Sequence, residues 1–134
     1  MATNIEALES SYVDCTEAGW SLQDGTKKLQ KSNLTLIDTE VCQQDADDGD
    51  QVPDTSFCGG SLNGSAVMCP GYTGSPVSCN DAGNDERVLV GLQSFNWACN
   101  TPNVPAIYTS LRQMRQWIDY ILEKEGWINV IFEI

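Results

Sequence analysis

The segment LQKSNLTLID (29–38) alternates, with Leu34 and Leu36 and their alternates on opposite faces, which predicts a strand. RVLVGLQSFNW (87–97) is β-branched and aromatic and follows the turn-rich CNDAGNDE, so a hairpin feeding a long, largely buried strand is expected. PAIYTSL (105–111) reads as a further short strand. The period then changes. Leu111, Met114, Ile118, Ile121 and Leu122 recur at helical spacing with charged residues between them, Trp117 widens the stripe, and Gly126 supplies a stop. An all-β body carrying one terminal helix is the predicted architecture, with no internal repeat. The tail WINVIFEI (127–134) is apolar and β-prone, suited to pairing with a sheet edge or to aggregation.

The chain has 134 residues, a hydrophobic fraction of 41% and a charged fraction of 19%, which fits one globular domain with a single core. Its net charge of −12, with seven Lys and Arg in all, argues against a nucleic-acid partner and against an anionic membrane surface. No apolar run approaches the roughly 20 residues that span a bilayer. The acidic segment QQDADDGDQVPD (43–54) fails the EF-hand order, since Asp50 stands at the position that needs glycine, and is expected to be a solvated loop.

Cysteines stand at 15, 42, 58, 69, 79 and 99, with no C-x-x-C pair and no histidine in the chain. That pattern disfavours a metal site and favours three disulfides in an oxidising compartment, with fifteen pairings open. Sequons at Asn33 and Asn63 agree with secretion and make both candidate glycosylation sites. The opening MATNIEALES lacks the basic and apolar regions of a signal peptide, so Met1 is not expected to be the natural start. No cofactor is expected.

VMCPGYTGSPVSC (67–79) outlines a strained turn that presents a side-chain oxygen. Together with CTEAGW (15–20), LVGLQSFNWAC (89–99) and VPAIYTSLRQMRQWI (104–118), it resembles, in order, the C-terminal half of the chymotrypsin- and trypsin-like serine peptidases. The resemblance runs over about residues 12 to 125. It implies an all-β fold: a six-stranded antiparallel barrel plus a C-terminal α-helix, occupying residues 1–126, with 127–134 as the apolar tail. It also implies the pairings Cys15–Cys79, Cys42–Cys58 and Cys69–Cys99.

By the same resemblance Thr73 occupies the nucleophile position, Gly71 offers an oxyanion N–H, and Tyr72 replaces the aspartate that pairs with a freed N-terminus on activation. Ser75 replaces the second glycine of the motif. Val67 stands at the pocket floor where trypsin-like members carry aspartate, and Asn96 and Ala106 stand at pocket-wall positions commonly held by glycine, narrowing the entrance. Ser94 and Phe95 keep the polar and aromatic character of the substrate-binding strand, while packing or edge cover is the expected role of Phe95 and Trp97. The family's catalytic His and Asp lie in its N-terminal half. A hydroxyl without a base is not a competent nucleophile at neutral pH. The expected function is therefore a secreted, non-catalytic homologue that binds a protein or peptide, a second barrel or another copy of itself. The alternatives are one part of a serine endopeptidase whose other half supplies His and Asp, and a truncated fragment without activity.

Overall fold

The computed structural model describes residues 12–20, 27–44, 51–60, 73–96 and 104–127. Seven strands, β1 (Tyr12–Gly19), β2 (Gln30–Asn33), β3 (Thr35–Ile37), β4 (Ser56–Gly60), β5 (Pro76–Asp81), β6 (Arg87–Asn96) and β7 (Ala106–Ser110), are joined by two helices, α1 (Thr39–Gln44) and α2 (Leu111–Lys124). All pairs are antiparallel, in the order β2-β1-β5-β6-β7-β4-β3. The two ends of that order, β2 and β3, are consecutive in the chain and meet at Leu34. The sheet thus curls into a nearly closed barrel, as expected, with six strands when the bent one is counted once.

The single strand expected over 29–38 is therefore two. Leu34 is buried, and its N–H donates to the Cys15 carbonyl at 2.9 Å. Before this corner β2 pairs with β1, and after it β3 pairs with β4. One bent segment serves two neighbours because each half has only one side to satisfy.

The barrel interior is filled by Leu34, Leu36, Phe57, Val77, Val90, Ala106, Tyr108 and the Cys15–Cys79 disulfide. Phe57 and Tyr108 stack with ring centroids 5.3 Å apart. A second, smaller cluster lies under α1: Val52, Ile107 and the Cys42–Cys58 disulfide. β4 and β7 face both clusters, so their neighbours in sequence are buried alike and the period of two disappears. The first two implied disulfides are thus present, with no free cysteine among the described residues. Cys69 and Cys99 lie outside those residues.

Between Val13 and Thr16 the β1–β5 register shifts, and Asp14 takes φ +52°. This bulge places Asp14 and Cys15 against Cys79. It also frees the Asp14 carbonyl, which Arg87 from β6 caps at 2.9 Å. The remaining donors of the same guanidinium go to Thr16 Oγ1, Asn80 Oδ1, and Ser78 Oγ and O. All five N–H groups are used on neutral partners on β1 and β5, so Arg87 is a strut and has no donor left for an anion.

α2 matches the predicted helix. Ser110 caps it by accepting the Gln113 N–H, and Gly126 at φ +75° closes it, with Gly126 N–H to Glu123 O and Trp127 N–H to Leu122 O. None of its residues is fully buried, and Trp117 and Tyr120 are exposed. α1 was not expected. It is six residues long, too short to show a period, and is capped by Asp38 accepting the Glu40 N–H at 2.7 Å. It takes Gln43 and Gln44 out of the expected acidic loop, and Gln43 Oε1 accepts the N–H of buried Val52, so both ends of that segment are structured. Residues 45–50 and 128–134 lie outside the described set. No described helix is long and apolar enough to cross a membrane.

Candidate functional site

Thr73, Gly74 and Ser75 form the turn that leads into β5. Gly74 sits at φ +85° with nothing within 4 Å of where a Cβ would be, so its glycine is required by conformation and not by crowding. Two backbone bonds fasten the turn to β6: Gly74 N–H donates to Gln93 O at 2.7 Å, and Gln93 N–H to Ser75 O at 2.9 Å. Thr73 is exposed and Ser75 buried. Gly71, Tyr72 and Val67 lie outside the described residues, as do Asn63 and Trp97. Asn33 is exposed on β2, opposite Thr16.

The β5–β6 ladder ends at Pro76↔Leu92, and β6 runs on past it. A second irregularity follows, where the β6–β7 register shifts between Gln93 and Phe95. Ser94 is the extra residue, and the shift inverts the alternation beyond it. Gln93 points inward, whereas Ser94 and Phe95 are both exposed, Phe95 by 50%. Phe95, expected in the core or at a covered edge, is half exposed, so core packing is not its role, and β6 is only partly buried. The backbone of Asn96 pairs with Ala106, whose methyl is wholly enclosed in the main core.

Sequence reasoning missed the polar group beneath this turn. Glu17 on β1 is 1% exposed, and one of its oxygens accepts the Tyr108 hydroxyl at 2.9 Å. Its other oxygen, Oε1, is buried with no hydrogen-bond partner. The Gln93 side-chain amide donates to the same Tyr108 hydroxyl. Burial pushes the Glu17 carboxyl up to about 7, partly offset by the Tyr108 bond. Tyr108 is raised above the usual phenol range, by burial first and then by the neighbouring carboxyl. The signal was available: Cys15, Glu17 and Gly19 alternate on one face of the strand, which places a carboxylate inside. Among the described residues no group of three His, Cys, Asp or Glu is placed to hold a metal ion.

A nearly closed antiparallel barrel with a helix behind it, a glycine turn presenting a hydroxyl beside a bulged strand, and two disulfides, one between strands and one from α1 to β4, together fit a trypsin-like fold. A family model described as Trypsin matches residues 5–118, and the chain belongs to that family. It is 31% identical to coagulation factor XII of Cavia porcellus over 116 residues, covering 82% of this chain and 19% of that protein. It is 30% identical to serine protease 56 of Homo sapiens over 109 residues, covering 78% of this chain and 18% of that protein.

Proposed function

We propose that this chain is a non-catalytic trypsin-family module that acts by binding, in an extracellular setting consistent with its disulfides. One observation carries the reading: the hydroxyl at the nucleophile position belongs to Thr73, in a chain of 134 residues without a histidine. The bulged end of β6 supplies the binding element, where Phe95 is 50% exposed and offers an apolar contact to a partner's side chain. Asn33 is a carbohydrate acceptor under this reading. The test is a fluorophosphonate probe with mass spectrometry on the purified protein and on Thr73→Ser. No adduct is expected on either, because triad members act as a unit and one restored hydroxyl recovers little. Stoichiometric labelling of residue 73 in the unmodified protein would overturn the proposal.

A second reading, one half of a serine endopeptidase, is favoured by the relative named a serine protease and by the small share of each relative that this chain spans. Both readings share a partner surface. Between α2 and β6 lies a groove of about 280 Å³ lined by Tyr12, Val88, Leu111 and Ile118 among others, with Leu89, Trp117 and Tyr120 exposed. The occupant that fits is a second barrel of the same fold, since most of each relative's length lies outside the matched segment. Adding a recombinant N-terminal barrel of such a relative is expected to give a 1:1 complex in sedimentation and to quench Trp117. A homodimer instead, or a monomer unchanged by the added barrel, would reject that occupant.

A further inference from the structure

Glu17 is joined to the turn by an unbroken series of hydrogen bonds. Its Oε2 accepts from Tyr108, the Tyr108 hydroxyl accepts from the Gln93 side chain, and the Gln93 backbone exchanges bonds with Gly74 and Ser75. We propose that Glu17, through Tyr108 and Gln93, governs the order of the Thr73–Ser75 turn, holding it when the carboxyl is protonated and releasing it on ionisation. The inference concerns the turn itself and stands whether or not the end of β6 binds a partner.

The argument is one of satisfaction. A carboxylate at this position has one donor, Tyr108, and a buried Oε1 with none, so ionisation demands water. Three sides of the group resist opening. On its own strand the neighbouring bulge is clamped by Cys15–Cys79 and Arg87. On β7 the Tyr108 ring is stacked against Phe57. On β5 its register partner is the fully buried Val77. The fourth side is Gln93, whose cover is a turn fastened by two backbone bonds with Thr73 and Gly74 already in solvent. Water enters where least is broken.

Tyr108 is the titratable group that meets Glu17 from β7. The other facing positions, Gln93 on β6, Val77 on β5 and Ser32 on β2, are neutral. The nearest cation on β2, Lys31, pairs with Ala18 and is exposed, and Arg87 on β6, also exposed, is committed to Thr16 Oγ1, next to Glu17 in sequence but on the opposite face of β1. Burial therefore raises the carboxyl from its ordinary value of 4.5 to about 7, with no countercharge facing it among the described residues. The sign follows from linkage. Between those values the closed form holds a proton that the opened form releases, so closure is strongest at low pH and is lost as pH climbs to about 7.

Hydrogen exchange at the Gly74 and Gln93 amides tests this between pH 5 and 8, corrected for intrinsic rates. The opening constant is expected to rise about tenfold per pH unit up to pH 7 and to level off above it. In Glu17→Gln, which keeps the shape and cannot ionise, the opening constant is expected to be flat. The Cys42 and Ser110 amides, bonded to Asp38 O and Thr55 O, are expected to stay flat in both proteins. A flat profile in the unmodified protein, the same slope in Glu17→Gln, or a parallel change at the two control amides would each overturn the proposal. A readout needing no variant is the carboxyl resonance of Glu17 by NMR. It must titrate with the same midpoint as the Gly74 amide shift, and two separated midpoints would sever the link.

Discussion

Replacing Cys15 and Cys79 together with alanine is expected to lower unfolding stability by about 4 kcal/mol. The bond joins residues 64 apart in sequence, and in the chain-entropy account the constraint on the unfolded state grows with the loop that is closed. The same account gives about 3 kcal/mol for Cys42–Cys58, whose separation is 16. Both sulfur pairs are also buried, so alanine leaves small voids in two cores at once when all four are changed. A loss of about 4 kcal/mol is comparable with the whole stability of a small domain. Urea denaturation of the double variant should therefore show a midpoint moved far toward zero denaturant. A midpoint shift smaller than that of the Cys42/Cys58 double variant would contradict the ranking.

Gly91→Ala is expected to cost 3 kcal/mol or more, at the upper end of about 1–3 kcal/mol for an overpacked core. A Cβ at Gly91 would lie 2.5 and 2.7 Å from two ring atoms of Phe57 and 2.9 Å from the Thr109 carbonyl oxygen. Neither neighbour can retreat cheaply. The Phe57 ring is stacked on Tyr108, which holds Glu17, and Thr109 O belongs to the β7 backbone beside β6. Gly59→Ala is the control, because the three atoms nearest its Cβ would be Leu34 side-chain atoms at 3.0 Å, none of them backbone. Equilibrium unfolding of the two variants should separate them clearly. Equal costs, or a Gly91→Ala cost within about 0.5 kcal/mol of zero, would show that the barrel yields at Phe57.

Much of this architecture could be read from residues alone because the relevant signals are local. The α2 period and the Gly126 stop lie within one segment, and the β5–β6 hairpin announces itself through its turn residues. The six-stranded barrel and the cysteine pairs became legible only through the family resemblance, since alternation cannot name a partner strand. What stayed hidden depends on neighbours distant in sequence. The corner at Leu34 is imposed by the Cys15 carbonyl, and the outward turn of Phe95 follows from a bulge at Ser94 that leaves no mark in an alternating pattern. β4 and β7 lose their period because each lies between two cores. In the site, Thr73 lies on the turn and Ser94 on β6, while Ala106, expected at a pocket wall, is enclosed in the main core. Glu17 was overlooked because a lone carboxylate in a short strand is ordinarily at the surface.

The bent strand at Leu34 has a consequence for the order in which the sulfurs are oxidised. β5, β6 and β7 follow one another in sequence and assemble as neighbours, whereas β1 meets β5 only after some sixty residues have been looped out. Long-range strand pairing is slow because its loop must close before any contact rewards it. The corner fixes β1 on one side and β4 on the other, so circularising the sheet and aligning Cys15 with Cys79 belong to the same event. In oxidative refolding the Cys42–Cys58 bridge, spanning a short loop, therefore comes early. The Cys15–Cys79 bridge comes after the barrel has closed, acting as a latch on a completed ring and not as a guide to its assembly.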